Sequence, residues 1–342
     1  MKIIEKLKLD HRSLILNEDI RTRYYRGGLL TVLLLFPFMD ISTINDYSLS
    51  GIQKLYHAGK DVFYRLKNNP AVDWRKIIYR ITVKLLSESV KCPQRDKEIR
   101  CLIADDTDLP KTGMCIELIG RIWSHVKNSS ILGFKGLFLG LHDGKSFYGL
   151  DFCLLGEKGK NRKKPYGLTT QQLKNRYHKQ RDKAVAGYRR KEEYFQKKTQ
   201  MLLRMLKTAI SQGIRFDYLL VDSWFVNYEL ISFILTRKIK PHLLGMAKMG
   251  NTKYMYADKE YTEKELIERQ KRNRKTKRSR KLNLWYCMVD VTFRDIEIRL
   301  FFCRVKRAGK WNVLLITDRD LDFEQACKLY ARRWHIEVSF KL

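Results

Sequence analysis

The sequence has no pair of cysteines at C-x-x-C spacing, although it has seven cysteines: Cys92, Cys101, Cys115, Cys153, Cys287, Cys303 and Cys327. That removes the usual framework of a structural zinc site. The odd count, the scatter and the apolar setting of several fit free core thiols in a reducing, cytoplasmic environment. No G-x-x-x-x-G-K-[ST] loop is present, so the phosphate cradle of a P-loop NTPase is excluded. His125, His142 and His178 do not form a ligand spacing with one another. There is no internal repeat, and no apolar run of the roughly 20 residues that a membrane-spanning helix needs. The nearest approach, Leu29–Ile41, is shorter and is interrupted by Pro37. Charged residues crowd the stretch before it, which does not suit a signal peptide. A buried helix is the expected state, with no membrane partner.

Acids are what the chain most lacks. Asp and Glu number 37 against 69 Lys and Arg, a formal net charge of +32. An excess that large points to a polyanionic partner, because each phosphate neutralised releases counterions. A nucleic acid is the expected partner. Hydrophobic residues make up 44% of the 342 residues, which is enough for real cores in one large or two to three ordinary domains.

Residues 1–95 read as a small basic helical domain, a possible reader of DNA ends. Leu29–Phe36, Ile52–Tyr64 and Trp74–Leu86 are its apolar segments, with turn signals between them. From Lys97 the period changes. Ile99–Ala104 is a short apolar run that ends in Asp105, Asp106 and Thr107, as a buried strand would deliver acids at its carboxyl end. Phe134–Leu141 and Ser146–Leu155 read as two strands joined by a hairpin turn at His142-Asp143-Gly144-Lys145. A basic stretch, Lys158–Lys198, leads into an amphipathic helix, Met201–Ser211. Phe216–Val221 is a second strand ending in an acid, Asp222, followed by a helix at Tyr228–Leu235 and a strand at His242–Ala247. This order predicts an α/β domain with a mixed sheet and flanking helices. Residues 250–310 read as a β-rich insertion. It holds a charged helix near Glu263, the basic run Arg269–Lys281, and strands at Leu284–Phe293 and Ile296–Arg304. Trp311–Thr317 is one more strand, and Phe323 opens a last helix.

Acids at the ends of two buried strands suit a ligand site, because such sites collect at the carboxyl ends of strands in open α/β sheets. Carboxylates are the hard oxygen ligands that Mg2+ prefers, and two metals can clamp the attacking and leaving oxygens of a phosphodiester. An isolated aspartate at a strand end more commonly caps the turn that follows. The last helix adds a third element. Tyr330, Arg333, Glu337 and Lys341 are spaced 3, 4 and 4 apart and share one helical face. A surface ion-pair stripe would show the same spacing.

The series Tyr330-x-x-Arg333-x-x-x-Glu337, within Tyr-Ala-Arg-Arg-Trp-His-Ile-Glu, resembles the Y-R-E-K signature of bacterial cut-and-paste insertion-sequence transposases. The resemblance covers residues 97–342. It implies a ribonuclease-H-like catalytic domain at 96–249 and 311–342, related in fold to retroviral integrases, with the β-rich basic insertion at 250–310. It also implies a DDE site of Asp106, Asp222 and Glu337 that binds Mg2+ or Mn2+, as two ions. Asp105 is the alternative to Asp106: neighbours on a strand point to opposite faces, and the family's acid immediately precedes Thr. Tyr330, Arg333, Lys341 and Trp311 are the implied DNA contacts on or near the helix. Arg272, Arg274, Lys275, Lys277 and Arg278 are added from charge alone. The implied activity is metal-dependent cleavage and strand transfer on double-stranded DNA, at transposon ends and in a target, by a homodimer in the synaptic complex, in a bacterial cytoplasm and associated with the nucleoid. The signature lysine falls seven residues after Glu337, past Leu342, so a chain shortened at its C-terminus is expected. A ribonuclease-H-like DNA nuclease without strand transfer and an inactive DNA-binding remnant are the rival expectations.

Overall fold

The computed structural model describes residues 24–55, 57–90, 98–237 and 240–340. In chain order it begins with helices α1 (Arg26–Leu35), α2 (Ile44–Leu49), α3 (Lys60–Lys67) and α4 (Trp74–Val90). Strands β1 (Cys101–Pro110), β2 (Gly120–Ser124), β3 (Ser129–His142) and β4 (Phe147–Leu155) follow. Then come α5 (Thr170–Lys174), α6 (Ala186–Glu193), α7 (Lys198–Ser211), β5 (Tyr218–Val221), α8 (Tyr228–Leu235) and β6 (His242–Ala247). The remainder is β7 (Lys253–Tyr256), β8 (Lys259–Thr262), α9 (Glu263–Arg272), β9 (Lys277–Ser279), β10 (Leu284–Phe293), β11 (Ile296–Arg304), β12 (Asn312–Ile316), α10 (Phe323–Ala331) and α11 (Trp334–Ser339). No helix among the described residues is long and apolar enough to cross a membrane.

The chain divides into two compact units. The first takes the described residues before Cys92 together with Pro110–Phe134 and Cys153–Gln196. Its helical part closes on Leu29, Leu30, Phe36, Tyr47, Phe63 and Ile77. Thr43 starts α2 with a reciprocal cap: its hydroxyl accepts the Asp46 N–H at 3.0 Å, and the Asp46 carboxylate accepts the Thr43 N–H at 2.9 Å. The expected helix at Ile52–Tyr64 is instead a short 3-10 turn, Gly51–Leu55, followed by α3 from Lys60. Gly59, extended at ψ 155, marks the start of α3. In the same unit β2 pairs antiparallel with the first part of β3, from Gly120↔Gly133 to Ser124↔Ser129. Glu193 on α6 is fully buried and takes both Arg75 of α4 and Arg190 as ion partners.

The second unit takes the described residues of Pro93–Leu109, Lys135–Phe152 and Lys197–Leu342. Its sheet runs β3-β1-β5-β6-β12-β11-β10-β7-β8, with β4 also on β3 and β9 on β10. β1, β5 and β6 are parallel neighbours. The pairs β6–β12, β12–β11 and β11–β10 are antiparallel. This is the mixed α/β architecture that the order of apolar runs predicts. The turn at His142–Lys145 is present: Asp143 accepts the N–H groups of Lys145 and Ser146 at 3.1 and 2.7 Å, and Gly144 sits at φ +99°, where a side chain would be strained.

Alternation sorts the core of this unit onto the two faces of its sheet. Cys101, Ile103, Tyr218, Leu220, Leu244, Phe301, Leu314 and Ile316 form one cluster with Phe323, Ala326, Leu329 and Ile336 of α10 and α11. Leu102, Leu219 and Leu243 alternate with them, are equally buried, and point to the other side. Two details differ from expectation. β1 continues to Pro110, so Asp105 and Asp106 lie within a strand, just past its last pair with β5. The basic run is more ordered than a loop: it completes α9, turns, and returns as β9 on the edge of β10.

Candidate active site

Strand register decides which acids meet. β1 and β5 pair from Cys101↔Tyr218 to Ala104↔Val221, and one further step sets Asp105 level with Asp222. Partners in register on adjacent parallel strands face the same side of the sheet. That side continues Ile103 and Leu220, the side covered by α10 and α11. The two helices bring Tyr330, Arg333 and Glu337 over it. The Arg333 guanidinium donates one Nη to the Asp105 carboxylate and the other to Glu337 at 2.6 Å. The Tyr330 hydroxyl donates to the Val221 carbonyl, the residue before Asp222, at 3.4 Å. The structure thus brings Asp105, Asp222, Tyr330, Arg333 and Glu337 to one place.

This place is short of positive charge. Burial pushes the Asp105 carboxyl up to about 6; Arg333 and the Asp106 N–H pull it down, while the charges of Asp106 and Asp222 push it further up. Burial likewise pushes the Tyr330 hydroxyl up to about 12, opposed by Arg333 and reinforced by Asp222 and Asp105. Two carboxylates, Asp105 and Glu337, therefore share one guanidinium, and a third, Asp222, adds its charge near Asp105. The donor set is hard oxygen, the chemistry that suits Mg2+ or Mn2+. Among the described residues no three acids, histidines or cysteines stand close enough together to hold an ion between them. Arg333 instead lies between Asp105 and Glu337, acting as their counter-ion.

Asp106 leaves this face. Its neighbour Asp105 points to α10 and α11, so alternation turns Asp106 to the opposite side. There it bonds Lys198 Nζ, on the first residue of α7, at 2.8 Å. The expectation that Asp106 stands with Asp222 and Glu337 does not match this geometry, for that reason. Lys198 also packs on Trp224, which is 53% exposed two residues beyond Asp222, and Lys248 lies over the same indole. None of these three was singled out from the sequence. The one available signal was the position of Trp224 in Asp222-Ser223-Trp224.

The other expected contacts lie elsewhere in the second unit. Trp311 stacks under the Arg304 guanidinium at 4.2 Å, and its indole nitrogen is buried without a partner. Arg272, Arg274, Lys275, Lys277 and Arg278 are all exposed. Lys341 lies outside the described residues.

The model of the DDE superfamily endonuclease family matches residues 55–278, about two thirds of the chain. This span includes Asp105, Asp106 and Asp222 and stops before Tyr330. No curated protein matches the chain. Among solved structures, a piggyBac transposase in a synaptic complex with hairpin DNA is similar over 97% of this chain, at 15% identity and a TM-score of 0.36. The chain spans 63% of that protein's length. The NurA nuclease from Sulfolobus solfataricus is similar over 73% of this chain and 82% of its own, at 12% identity and a TM-score of 0.28. Likenesses of that size say nothing about function.

Proposed function

Because the chain belongs to the DDE superfamily endonuclease family, we propose that it is a transposase of the cut-and-paste insertion-sequence type, cutting DNA at an element's ends and joining it to a target. The observation that carries this reading is the meeting of Asp105, Asp222, Arg333 and Glu337 on one face of a mixed sheet. Asp105, not Asp106, is the first acid of the site, because it shares a face with Asp222. Asp105, Asp222 and Glu337 would hold the divalent ions, Mg2+ or Mn2+, once Arg333 leaves its place between Asp105 and Glu337 and the acids close up. When bound, such ions stabilise charge on a phosphodiester and lower the pKa of a water.

The chain's own residues have separable tasks. Burial raises the Asp105 pKa, so its charged form is poorly solvated and would gain from a cation. Arg333 offsets that charge in the meantime, and its planar fork suits a phosphate as well as a carboxylate. Tyr330, its hydroxyl held protonated by burial, keeps a proton to donate near the scissile bond. Hydrolysis at the element's end breaks a P–O bond and frees a 3′-hydroxyl. That hydroxyl attacks a target phosphodiester, forming one P–O bond as another breaks, so no ATP is consumed. In this reading residues 96–249 and 311–342 form a ribonuclease-H-like catalytic domain, 250–310 the basic insertion and 1–95 the end-binding domain. Tyr330, Arg333, Lys341 and Trp311 touch DNA, and the working form is a homodimer in the bacterial cytoplasm.

A nuclease without strand transfer is the second reading, favoured by the family's description as endonucleases. Incubation with a labelled, pre-cut element end and a supercoiled target in Mg2+ separates the two. Joined products are expected. Nicking of the target without joining supports the nuclease, and no metal-dependent product of either kind would overturn both.

A further inference from the structure

The lysines around Trp224 take no part in the proposed reaction, and their arrangement calls for a role. Val221 pairs with Gly245 on the parallel neighbours β5 and β6. Three residues beyond each, at the same carboxyl edge of the sheet, stand Trp224 and Lys248. The Lys248 ammonium lies 3.5 Å from the centre of the indole ring, and the Lys198 ammonium 5.1 Å from it. Two like charges are thus gathered on one aromatic surface. The ring quadrupole attracts each of them, but they repel one another. Lys198 has a counter-ion, the Asp106 carboxylate at 2.8 Å. Lys248 is exposed, and among the described residues no carboxylate pairs with it.

We infer that Lys198 and Lys248, held on Trp224, form a clamp for the phosphodiester backbone of DNA, and that Asp106 occupies Lys198 until a phosphate replaces it. The clamp rests on the reading of the chain as a DNA-cutting enzyme, and it gives the second acid of the Asp105–Asp106 pair a binding role instead of a catalytic one. Lysine acts on phosphate as a point charge, and the indole supplies a rigid base that keeps two such charges aimed together. The loop from Asp222 to Trp224 would then hold the backbone two residues from a proposed metal ligand.

The test is fluorescence anisotropy of a labelled DNA duplex titrated with the full chain in EDTA, over a series of KCl concentrations. Lys198→Gln and Lys248→Gln should each lower the slope of log Kd against log salt by about one unit, the signature of one phosphate no longer neutralised. Trp224→Leu should lower it although it removes no charge, and Trp224→Phe, which keeps a ring, should restore most of the slope. Asp106→Asn should tighten binding at low salt, since Lys198 loses its internal competitor. Lys253→Gln, at a lysine already paired with Glu260, should change nothing. Unchanged slopes in both lysine variants overturn the clamp. So does weakened binding in Trp224→Leu with both lysine slopes intact, which would mean that the indole meets bases directly. Weaker binding by Asp106→Asn overturns the counter-ion role. Because no metal is present, the outcome does not depend on catalysis: the predicted slopes in a chain that never cuts DNA would leave the clamp standing and remove the catalytic reading.

Discussion

Two arginine–carboxylate groups in this protein, one around a fully buried acid and one part-buried, have opposite stoichiometry. In the first unit two guanidiniums serve one acid. Arg75 grips Glu193 with both Nη atoms at 2.5 and 3.0 Å, and Arg190 adds a bond at 3.1 Å. In the second unit one guanidinium, Arg333, serves two acids, with Asp222 close enough to raise the Asp105 pKa as well. In the first group the one acid is saturated by two guanidiniums and has no charge left for a ligand cation. In the second, two acids share one guanidinium, with a third acid near, the arrangement that the proposed cation site needs. Counting partners per acid therefore separates an acid already satisfied by the protein from acids that share one cation.

The largest expected effect tests the second group. Asp105→Asn, Asp222→Asn and Glu337→Gln should each lower Mg2+-dependent strand cleavage by at least ~10²-fold, the scale of removing one fixed group from a transition-state site. Asp106→Asn should keep most of the activity once DNA is saturating. Loss of cleavage in Asp106→Asn with Asp105→Asn still active would break the comparison at its root, because the charge-poor face would then not be the reactive one.

Much of this site was legible in the sequence. The apolar runs before Asp106 and Asp222 marked the strands, the 3-and-4 spacing of Tyr330, Arg333 and Glu337 marked a shared helical face, and Asp143-Gly144 marked the turn. Each is a local signal. The choice between Asp105 and Asp106 was not local. It depends on the register of β1 against β5, which no pattern within β1 encodes. The position before Thr107 favoured Asp106, and strand pairing set Asp105 beside Asp222. Lys198, Trp224 and Lys248 come from α7, a loop and the end of β6, so nothing short of the assembled sheet shows them together. The final helix was expected to run unbroken. It divides into α10 and α11 around Arg332 and Arg333, whose backbones stay near helical values, so the face survives the break.

A stability measurement sharpens the same contrast. Glu193→Ala strips two arginines of their shared acid and leaves them facing a fully buried position. Breaking a buried pair in this way costs ~3–5 kcal/mol, read by urea unfolding. Asp105→Asn in metal-free buffer removes one charge from a group that already has too many negative ones. Its stability should be unchanged or slightly higher, as expected where a site holds strain for function. Equal losses in the two variants would mean that Asp105 is as structural as Glu193.

The basic run extends the series to cations with no acid at all, and its expected effect is the smallest. Among the described residues Arg272, Arg274, Lys275, Lys277 and Arg278 have no carboxylate partner, unlike Lys271, which bonds Glu268, or Lys281, which lies near Glu324. A disordered tail of this composition would give no fixed target to DNA. Here the ends are anchored. Arg272 closes α9, while Lys277 and Arg278 pair with Tyr286 and Trp285 on β10. The Arg278 guanidinium also lies over Trp285 and donates to Asn283 at 2.7 Å. Fixed cations without counter-ions should therefore engage phosphates directly. Replacing all five with Gln should lower the salt dependence of duplex binding by about one unit of log–log slope for each phosphate that is no longer neutralised. Unfolding free energy should stay within ~0.5 kcal/mol, because exposed positions carry little packing. Cleavage of DNA already bound at low salt should be unaffected. An unchanged slope would return the run to a solvated edge of the sheet, and a large drop in stability would show that β9 holds this edge of the sheet together instead of meeting DNA.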